Sequence, residues 1–145
     1  MERTLYTAEA TVTGGRENGH GRTTDGKLDV HLRLPTELGG DGAGTNPEEL
    51  FAMGFAACFE GALGTVARRE KTELGDISID SRVSLMPTAP RGFKLGVAMD
   101  VTLPGVLDPA EAARIVAAAH QVCPYSNATR GNIEVDLTAN GQAVR

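Results

Sequence analysis

The sequence carries few positive charges, and they are not clustered. It has 14 lysine and arginine residues against 19 aspartate and glutamate residues, which gives a formal net charge of −5 at pH 7. Binding to a phosphate backbone requires a basic patch or stripe that neutralises several phosphates at once. We therefore exclude nucleic acid as a partner.

Long apolar runs are also missing. A helix that spans a bilayer needs about 20 predominantly apolar residues, and no uninterrupted run approaches this length. The first residues, MERTLYTAEA, lack the apolar stretch of a secretory signal peptide. From the sequence we expect a soluble, cytoplasmic protein with no membrane partner.

Cysteine is scarce, since the chain of 145 residues has only two, Cys58 and Cys123. A secreted disulfide scaffold would need more cysteines at closer spacing. In a reducing compartment, a cysteine pair is more often catalytic, redox-active or simply buried than a permanent cross-link. The length suits one domain, residues 1–145, that buries its core without a disulfide or a structural metal. The cysteine pair is therefore the first place to look for chemistry.

Alternation of apolar and polar residues predicts strands in both halves of the sequence. In the first half, strands are predicted at residues 4–13 and 27–34, and the Asp25-Gly26 pair favours a hairpin turn after a short segment at residues 21–24. In the second half, a hairpin is predicted from residues 77–85 and 93–103, with a loop at 87–92. A last strand is predicted around residues 133–137.

Two helix starts share one signature, which is an N-cap residue followed by proline and then, three residues after the cap, glutamate. Asn46 begins a helix predicted over residues 47–70. Asp108 begins a second helix, which should end near Cys123 because Pro124 disfavours helix in the residue before it. A turn-rich piece is predicted for residues 126–131.

The first helix is apolar on nearly every side between Leu50 and Phe59, which is typical of a helix in the middle of a structure. The order of elements predicts an α+β domain in which two small, largely antiparallel sheets surround this long, buried central helix. Two small sheets from one chain supply too little cover for such a helix, so we predict a homodimer.

Three kinds of site other than a redox pair have weak support. The glycine-rich segment 39–44 precedes a helix, but it lacks the Lys-Ser/Thr pair and the glycine spacing of nucleotide-binding loops. His120 and Cys123 have metal-ligand spacing, but no second close pair completes a zinc site, and His20 and His31 are distant in sequence. A Cys-His hydrolase stays open, although the sequence places no histidine near Cys58.

A purely structural role is the alternative for Cys58, since free cysteine is among the most buried residue types and behaves as a small hydrophobe. A buried thiol that reacts needs a nearby cation to favour the thiolate. Arg16 lies in the loop after the first predicted strand, from which side chains often reach into sites. Glu48, in the first turn of the long helix, could hold this arginine by a bidentate contact or serve only the helix dipole.

Three segments of the sequence resemble one known family. They are TNPEELFAMGFAACFEGAL around Cys58, HQVCPYSNATRGNIEVDL around Cys123 and TGGRENG around Arg16. They are similar to the organic hydroperoxide resistance (Ohr) proteins of the Ohr/OsmC superfamily, over nearly the whole chain. The run CPYSNATRGN resembles the Ohr branch in particular, whereas Phe55 stands where many family members have tyrosine.

The resemblance implies an OsmC-like fold and an intertwined homodimer with two active sites. It implies that Cys58 is the peroxidatic cysteine, that Cys123 is the resolving cysteine, and that Arg16 and Glu48 activate Cys58. The implied enzyme is a thiol peroxidase that reduces alkyl and fatty-acid hydroperoxides under peroxide stress. The implied reductant is a dithiol, such as dihydrolipoamide or a lipoyl group on a protein, and no metal or other cofactor is needed.

Apolar side chains on the long helix are expected to bind the substrate near Cys58, namely Phe51, Met53, Phe55 and Phe59. Two other functions stay open. A thioesterase-like enzyme would also use a long apolar helix cradled by antiparallel strands. A dimeric binding module would carry a lipid in an apolar cleft, with cysteines that only pack.

Helix geometry separates Glu48 from Cys58. Ten residues on one straight helix correspond to a rise of about 15 Å and a rotation of about 80° away from the same face, which one glutamate side chain cannot span. If Glu48 orients Arg16 toward the thiolate, we expect the pair to act on the Cys58 of the partner subunit. The exceptions are that Arg16 bridges the distance itself or that the helix is broken, for example at Gly54.

Overall fold

The computed structural model describes residues 2–145. Backbone contacts divide the chain into two compact units, of which the first ends at Leu50 and the second comprises Phe51–Arg145. A long helix begins in the first unit and continues through the second. The assignment of residues 1–145 to one domain stays a prediction.

The first unit is built on a three-stranded antiparallel sheet in the order β1-β2-β3. The strands are β1 (Ala10–Thr13), β2 (Asn18–Thr23) and β3 (Asp29–Arg33). The predicted hairpin turn is present between β2 and β3, where the Asp25 carboxylate accepts a hydrogen bond from the Lys27 N–H and Gly26 has a φ of 71°. Positive φ is available to glycine at little steric cost, which explains its place in the turn.

The strand predicted at residues 4–13 is confirmed only from Ala10 onward. Residues 2–9 form no regular element, and Leu5 and Tyr6 are 82% and 79% exposed. The alternating pattern gives this segment an apolar side, but within the described chain nothing covers that side. Strand formation depends on a partner strand and a buried face as well as on pattern.

Helix α1 (Pro47–Glu70) confirms the predicted long helix and its cap, because the Asn46 side-chain oxygen accepts a hydrogen bond from the Glu49 N–H at 2.9 Å. Five of its residues are buried, which are Phe55, Phe59, Ala62, Leu63 and Val66. Another side of the helix carries Met53, Ala57 and Gly61, spaced four residues apart, and these are exposed. One chain therefore covers α1 on one side only.

By length and hydropathy, α1 would also pass as a membrane-spanning helix, with a mean hydropathy of 1.6 over an 18-residue window. Mean hydropathy thus marks a longer apolar segment in α1 than the uninterrupted apolar runs of the sequence do. Core helices of soluble proteins pass the same test. We interpret α1 as a core helix because Phe55, Phe59 and Leu63 are fully buried.

The second unit contains a four-stranded sheet in the order β4-β5-β6-β7. The strands are β4 (Ser78–Thr88), β5 (Gly92–Thr102), β6 (Val135–Ala139) and β7 (Gln142–Ala143). Strands β4 and β5 form the predicted hairpin, but β4 extends further than predicted, β5 is shifted by one residue and the loop between them is shorter. Strand β6 pairs parallel to β5, which the sequence analysis did not predict. Parallel pairing requires a crossover connection, and two helices supply it.

Helices α2 (Pro109–Val122) and α3 (Pro124–Thr129) form this crossover. The Asp108 carboxylate accepts a hydrogen bond from the Glu111 N–H, as the predicted cap requires. Helix α2 ends where predicted, because Cys123 has an extended backbone before Pro124. The turn-rich piece predicted for residues 126–131 is wrong for residues 126–129, which belong to α3, and is confirmed only at residues 130 and 131, which form a turn. Pro124 is the first residue of α3, a position that suits its fixed φ.

The core of the second unit lies between α1, α2 and the inner face of the four-stranded sheet. Cys123 is fully buried within it. Its other members are apolar side chains from these elements and the loops beside them: Phe55, Phe59, Ala62, Leu63, Val66, Leu74, Val97, Met99, Val101, Leu103, Val106, Ala112, Ile115, Val116, Ala119, Leu137 and Ala139. Cys58 packs against this cluster and is only partly buried.

Candidate active site

Cys58 lies in the fourth turn of α1, where burial and two neighbouring residues act on its thiol. Burial is the main influence and raises the pKa of Cys58 above its usual range. The backbone N–H of Tyr125 hydrogen-bonds to the sulfur and lowers the pKa, whereas the neighbouring Cys123 thiol raises it. Within the described chain, the net effect favours the neutral thiol. Reaction as a thiolate therefore needs an additional positive charge.

Cys123 lies at the junction of α2 and α3, with its side chain in the core. Its backbone N–H donates to the Ala119 carbonyl, and its own carbonyl accepts from Asn127, so both helices hold it. Its thiol lies beside that of Cys58 and affects the pKa of Cys58, and both cysteines are reduced. The two sulfur atoms are thus neighbours although their residues are far apart in sequence.

Arg16 and Glu48 form an ion pair within the first unit. The Arg16 Nη2 donates to both carboxylate oxygens of Glu48, at 2.8 and 2.9 Å. The Glu48 side chain is 15% exposed and that of Arg16 is 36% exposed. Because Glu48 engages only one guanidinium nitrogen, the other N–H donors of Arg16 are left for a different acceptor. The contact anticipated from the sequence is present, and it fixes the direction of the arginine.

The four residues predicted to bind substrate do not form one group. Phe51 and Phe55 pack with the ring of Tyr125, at centroid distances of 5.7 and 5.5 Å. Phe59 is fully buried and lies near the ring of His120. Met53 is 74% exposed. Their role in substrate binding stays a prediction, for which Phe51 has the most suitable position because it is only partly buried.

Sequence reasoning missed two features beside the cysteines. One is Tyr125, whose N–H contacts Cys58 and whose ring lies over Gly54, one turn before Cys58. The sequence feature that could have identified Tyr125 is its position directly after Cys123-Pro124. The other is the hydrogen bond between His120 Nδ1 and the fully buried hydroxyl of Ser126, at 2.8 Å. His120 had been considered only as a metal ligand.

The remaining candidates from the sequence belong to the first unit. His20 and His31 face each other across β2 and β3, with ring centroids 5.7 Å apart, and His20 contacts Asp29. Among residues 2–145, no group of three or more possible ligands could hold a metal ion. In the glycine-rich segment, Gly40 packs so closely on Leu34 that a Cβ atom would lie 2.1 Å from the Leu34 carbonyl oxygen. Close packing against the backbone of Leu34 thus explains the glycine at position 40.

Comparison with known proteins identifies the family. Residues 39–138 match the sequence model of the family described as OsmC-like protein. An organic hydroperoxide resistance protein of Xanthomonas axonopodis pv. citri (strain 306) is 55% identical over 139 residues, which cover 94% of this chain and 96% of that protein.

Two solved structures agree with this match. The crystal structure of an organic hydroperoxide resistance protein OsmC from Legionella pneumophila has a TM-score of 0.89 and 54% identity, and covers 94% of this chain and 98% of that chain. The structure of OhrB of Bacillus subtilis has a TM-score of 0.84 and 46% identity, and covers 93% and 98%. The chain therefore belongs to the OsmC-like family, in the branch of the organic hydroperoxide resistance proteins.

The environment of His120 gives a prediction. Burial lowers the pKa of His120, and the nearby Arg130 guanidinium lowers it further. Arg130→Gln should therefore raise the pKa of His120, but not to its usual value, because burial remains. The native ring binds its proton less readily than the unfolded one, so its contribution to stability is lost as the pH falls below the usual range of histidine.

The measurement is an NMR titration of the His120 ring protons. Arg82→Gln, which removes a cation on strand β4, is the matched control and should leave the pKa of His120 unchanged. Equal pKa values of His120 in the native protein and in Arg130→Gln would contradict the assigned cause.

Proposed function

We propose that this chain is a thiol-dependent peroxidase that reduces organic hydroperoxides to alcohols as part of the response to organic peroxide stress. The observation that carries the proposal is the proximity of the Cys58 and Cys123 thiols inside a chain of the Ohr branch. A pair of adjacent, reduced thiols can accept two oxidising equivalents and store them as a disulfide.

In the first step, the Cys58 thiolate attacks the terminal oxygen of the hydroperoxide, which carries the hydrogen. A bond forms between sulfur and oxygen, the O–O bond breaks, and the leaving alkoxide takes a proton to become the alcohol. Cys58 is left as a sulfenic acid. An apolar hydroperoxide suits a thiol that is bordered by Phe51 and Tyr125.

In the second step, the Cys123 thiolate attacks the sulfur of the sulfenic acid. The S–O bond breaks, hydroxide leaves and is protonated to water, and a Cys58–Cys123 disulfide forms. An external dithiol then reduces this disulfide by exchange, and we propose dihydrolipoamide or a protein-bound lipoyl group for this role. The reaction needs no metal or other cofactor, and we place it in the cytoplasm.

Arg16, held by Glu48, would supply the positive charge that the surroundings of Cys58 lack. Burial raises the pKa of the thiol, and the N–H of Tyr125 only partly offsets this. A fixed guanidinium in a site with little water stabilises both a thiolate and the charge on a leaving alkoxide. Glu48 holds Arg16 in one direction and leaves other guanidinium donors available.

We propose that the active protein is an intertwined homodimer. Leu5 and Tyr6 are largely exposed, and so is the side of α1 that carries Met53 and Ala57. Large exposed apolar patches usually mark an interaction site. A second copy of the chain, related by a two-fold axis, would cover both regions at once.

The two cysteines should have separate tasks. Cys58→Ser should abolish the reaction with peroxide, whereas Cys123→Ser should consume about one equivalent and stop as an oxidised Cys58. Mass spectrometry after one equivalent of cumene hydroperoxide measures both outcomes, and the unsubstituted chain should instead show an internal disulfide. A steady-state assay with dihydrolipoamide then tests turnover. Loss of the first equivalent in Cys123→Ser, or no disulfide in the unsubstituted chain, would contradict the proposed peroxidase.

Organic hydroperoxides should be better substrates than hydrogen peroxide. Each methylene group transferred from water to an apolar wall stabilises the complex by about 0.8 kcal/mol, so a substrate with several carbons should gain well over tenfold in kcat/KM. The comparison uses cumene hydroperoxide and hydrogen peroxide with the same dithiol. Equal kcat/KM values would count against an apolar site.

We also propose that Arg16 and Glu48 act on the Cys58 of the partner subunit. Helix α1 contains Gly54 without a break, so the helical rise of about 15 Å between Glu48 and Cys58 applies. A heterodimer of one Cys58→Ser chain and one Arg16→Met chain distinguishes the two arrangements. Across subunits, it retains one complete site and about half of the activity, as two-fold symmetry requires. Within one subunit, neither site is complete and the mixed dimer should be as inactive as its parents.

A further inference from the structure

Gly54 and Tyr125 are in close contact beside the cysteine pair. Gly54 lies one helical turn before Cys58 on α1. A Cβ atom at position 54 would be 2.9 Å from the Tyr125 hydroxyl oxygen and 3.4 Å from ring atoms Cε2 and Cζ. The first of these distances is well inside the favourable separation of about 3.5–4.0 Å between carbon atoms. The absence of a side chain at position 54 therefore allows the tyrosine ring to lie against the helix.

The ring is held from other sides as well. Phe51 and Phe55 pack against it at tilted angles of 38° and 58°. Tyr125 is 37% exposed, so one edge of the ring faces away from these neighbours. A group placed at position 54 would press the ring against two aromatic side chains, of which Phe55 is fully buried. The hydroxyl end of the ring would therefore have to move, and the two phenylalanine rings limit the directions in which it can do so.

That backbone also carries the second cysteine. Tyr125 is in the first turn of α3, and Cys123 is the N-cap of the same helix. Pro124 joins them with a nearly fixed φ, so little rotation is available between the two residues. The N–H of Tyr125 and the Cys123 thiol both lie close enough to the Cys58 sulfur to affect its pKa. A displacement of Tyr125 is therefore transmitted to Cys123.

We propose that the Gly54–Tyr125 contact positions Cys123 for disulfide formation with Cys58. Gly54 and Tyr125 are positioning residues, which set the distance and direction from which the Cys123 sulfur approaches. The step they assist during turnover, attack on the Cys58 sulfenic acid with release of water, rests on the proposed function. The positioning itself applies to any oxidation of the thiol pair.

The contact also decides between two fates of the sulfenic acid. If Cys123 is well placed, the disulfide forms. If it is displaced, a second hydroperoxide molecule reacts with the sulfenic acid, its O–O bond breaks, an alcohol is released, and Cys58 becomes a sulfinic acid that a dithiol does not reduce. The contact therefore sets how much peroxide the protein withstands before it is inactivated.

The test uses Gly54→Ala, Tyr125→Phe and the double variant. Gly54→Ala brings a methyl group against the tyrosine hydroxyl, and Tyr125→Phe removes that oxygen, so the second substitution should rescue the first. Alanine is a better helix former than glycine, so a defect in Gly54→Ala cannot come from helix propensity. Circular dichroism and thermal unfolding establish that each variant is folded.

The first measurement is the equilibrium constant for formation of the Cys58–Cys123 disulfide against oxidised dithiothreitol. A misplacement of about 1 Å lowers the effective concentration of one thiol at the other by up to about 100-fold, and this concentration governs both the rate and the equilibrium constant of disulfide formation. The smaller shift in Gly54→Ala should therefore lower the constant about tenfold. Tyr125→Phe and the double variant should stay within about threefold of the unsubstituted chain, since neither contains the contact at 2.9 Å. If Gly54→Ala does not fold, Tyr125→Ala removes the ring and should lower the constant similarly.

The second measurement exposes each protein to increasing tert-butyl hydroperoxide and quantifies sulfinic acid at Cys58 by mass spectrometry. Gly54→Ala should be overoxidised at about tenfold less peroxide than the unsubstituted chain, in proportion to its slower disulfide formation. An unsubstituted chain that consumes no peroxide would overturn the proposed function alone, because the dithiothreitol equilibrium still tests the contact. A Gly54→Ala variant with an unchanged equilibrium constant, or a double variant as impaired as Gly54→Ala, would overturn the positioning role.

Discussion

Pro124 imposes the constraint on which the arrangement of the cysteines depends. Its ring ends α2 at Val122, keeps Cys123 extended and begins α3 in one step. The first residues of a helix have backbone N–H groups without partners inside the helix. The backbone N–H of Tyr125 is one of these, and it acts on the Cys58 sulfur and lowers the pKa of the thiol. One bend in the chain thus delivers a second thiol and a hydrogen-bond donor to the same sulfur atom.

This arrangement brings the sulfur atoms together but does not make them reactive. Burial and a neighbouring thiol both oppose ionisation of Cys58. The cation that would reverse this, Arg16, belongs to the unit that ends at Leu50, where Glu48 holds it. Under the proposed function, the proximity of the two thiols and the activation of Cys58 therefore come from different units of the chain. Such a division suits a protein in which the reactive thiolate exists only when both units, or both subunits, are in place.

Local signals explain what could be predicted from the sequence. Asn46, Asp108 and Pro124 act within a few residues, so the starts of α1 and α2 and the end of α2 were predicted correctly. The parallel pairing of β6 and the contact of Tyr125 with Gly54 depend on packing between distant segments, which no local pattern encodes. The candidate site was predicted in the same way: chemistry and family resemblance identified the cysteines and the Arg16–Glu48 pair, whereas the aromatic neighbours required coordinates.

The parallel pairing of β5 with β6 has a consequence for biosynthesis. All residues between Thr102 and Val135, including α2, α3 and Cys123, must be made before these two strands can pair. Contacts between distant segments form late, because the entropy of closing a long loop must be overcome first. The first sheet and α1 are complete in the nascent chain well before Cys123 has been added. During that interval Cys58 has no second thiol beside it, so the growing chain contains the proposed nucleophile without its proposed resolving cysteine.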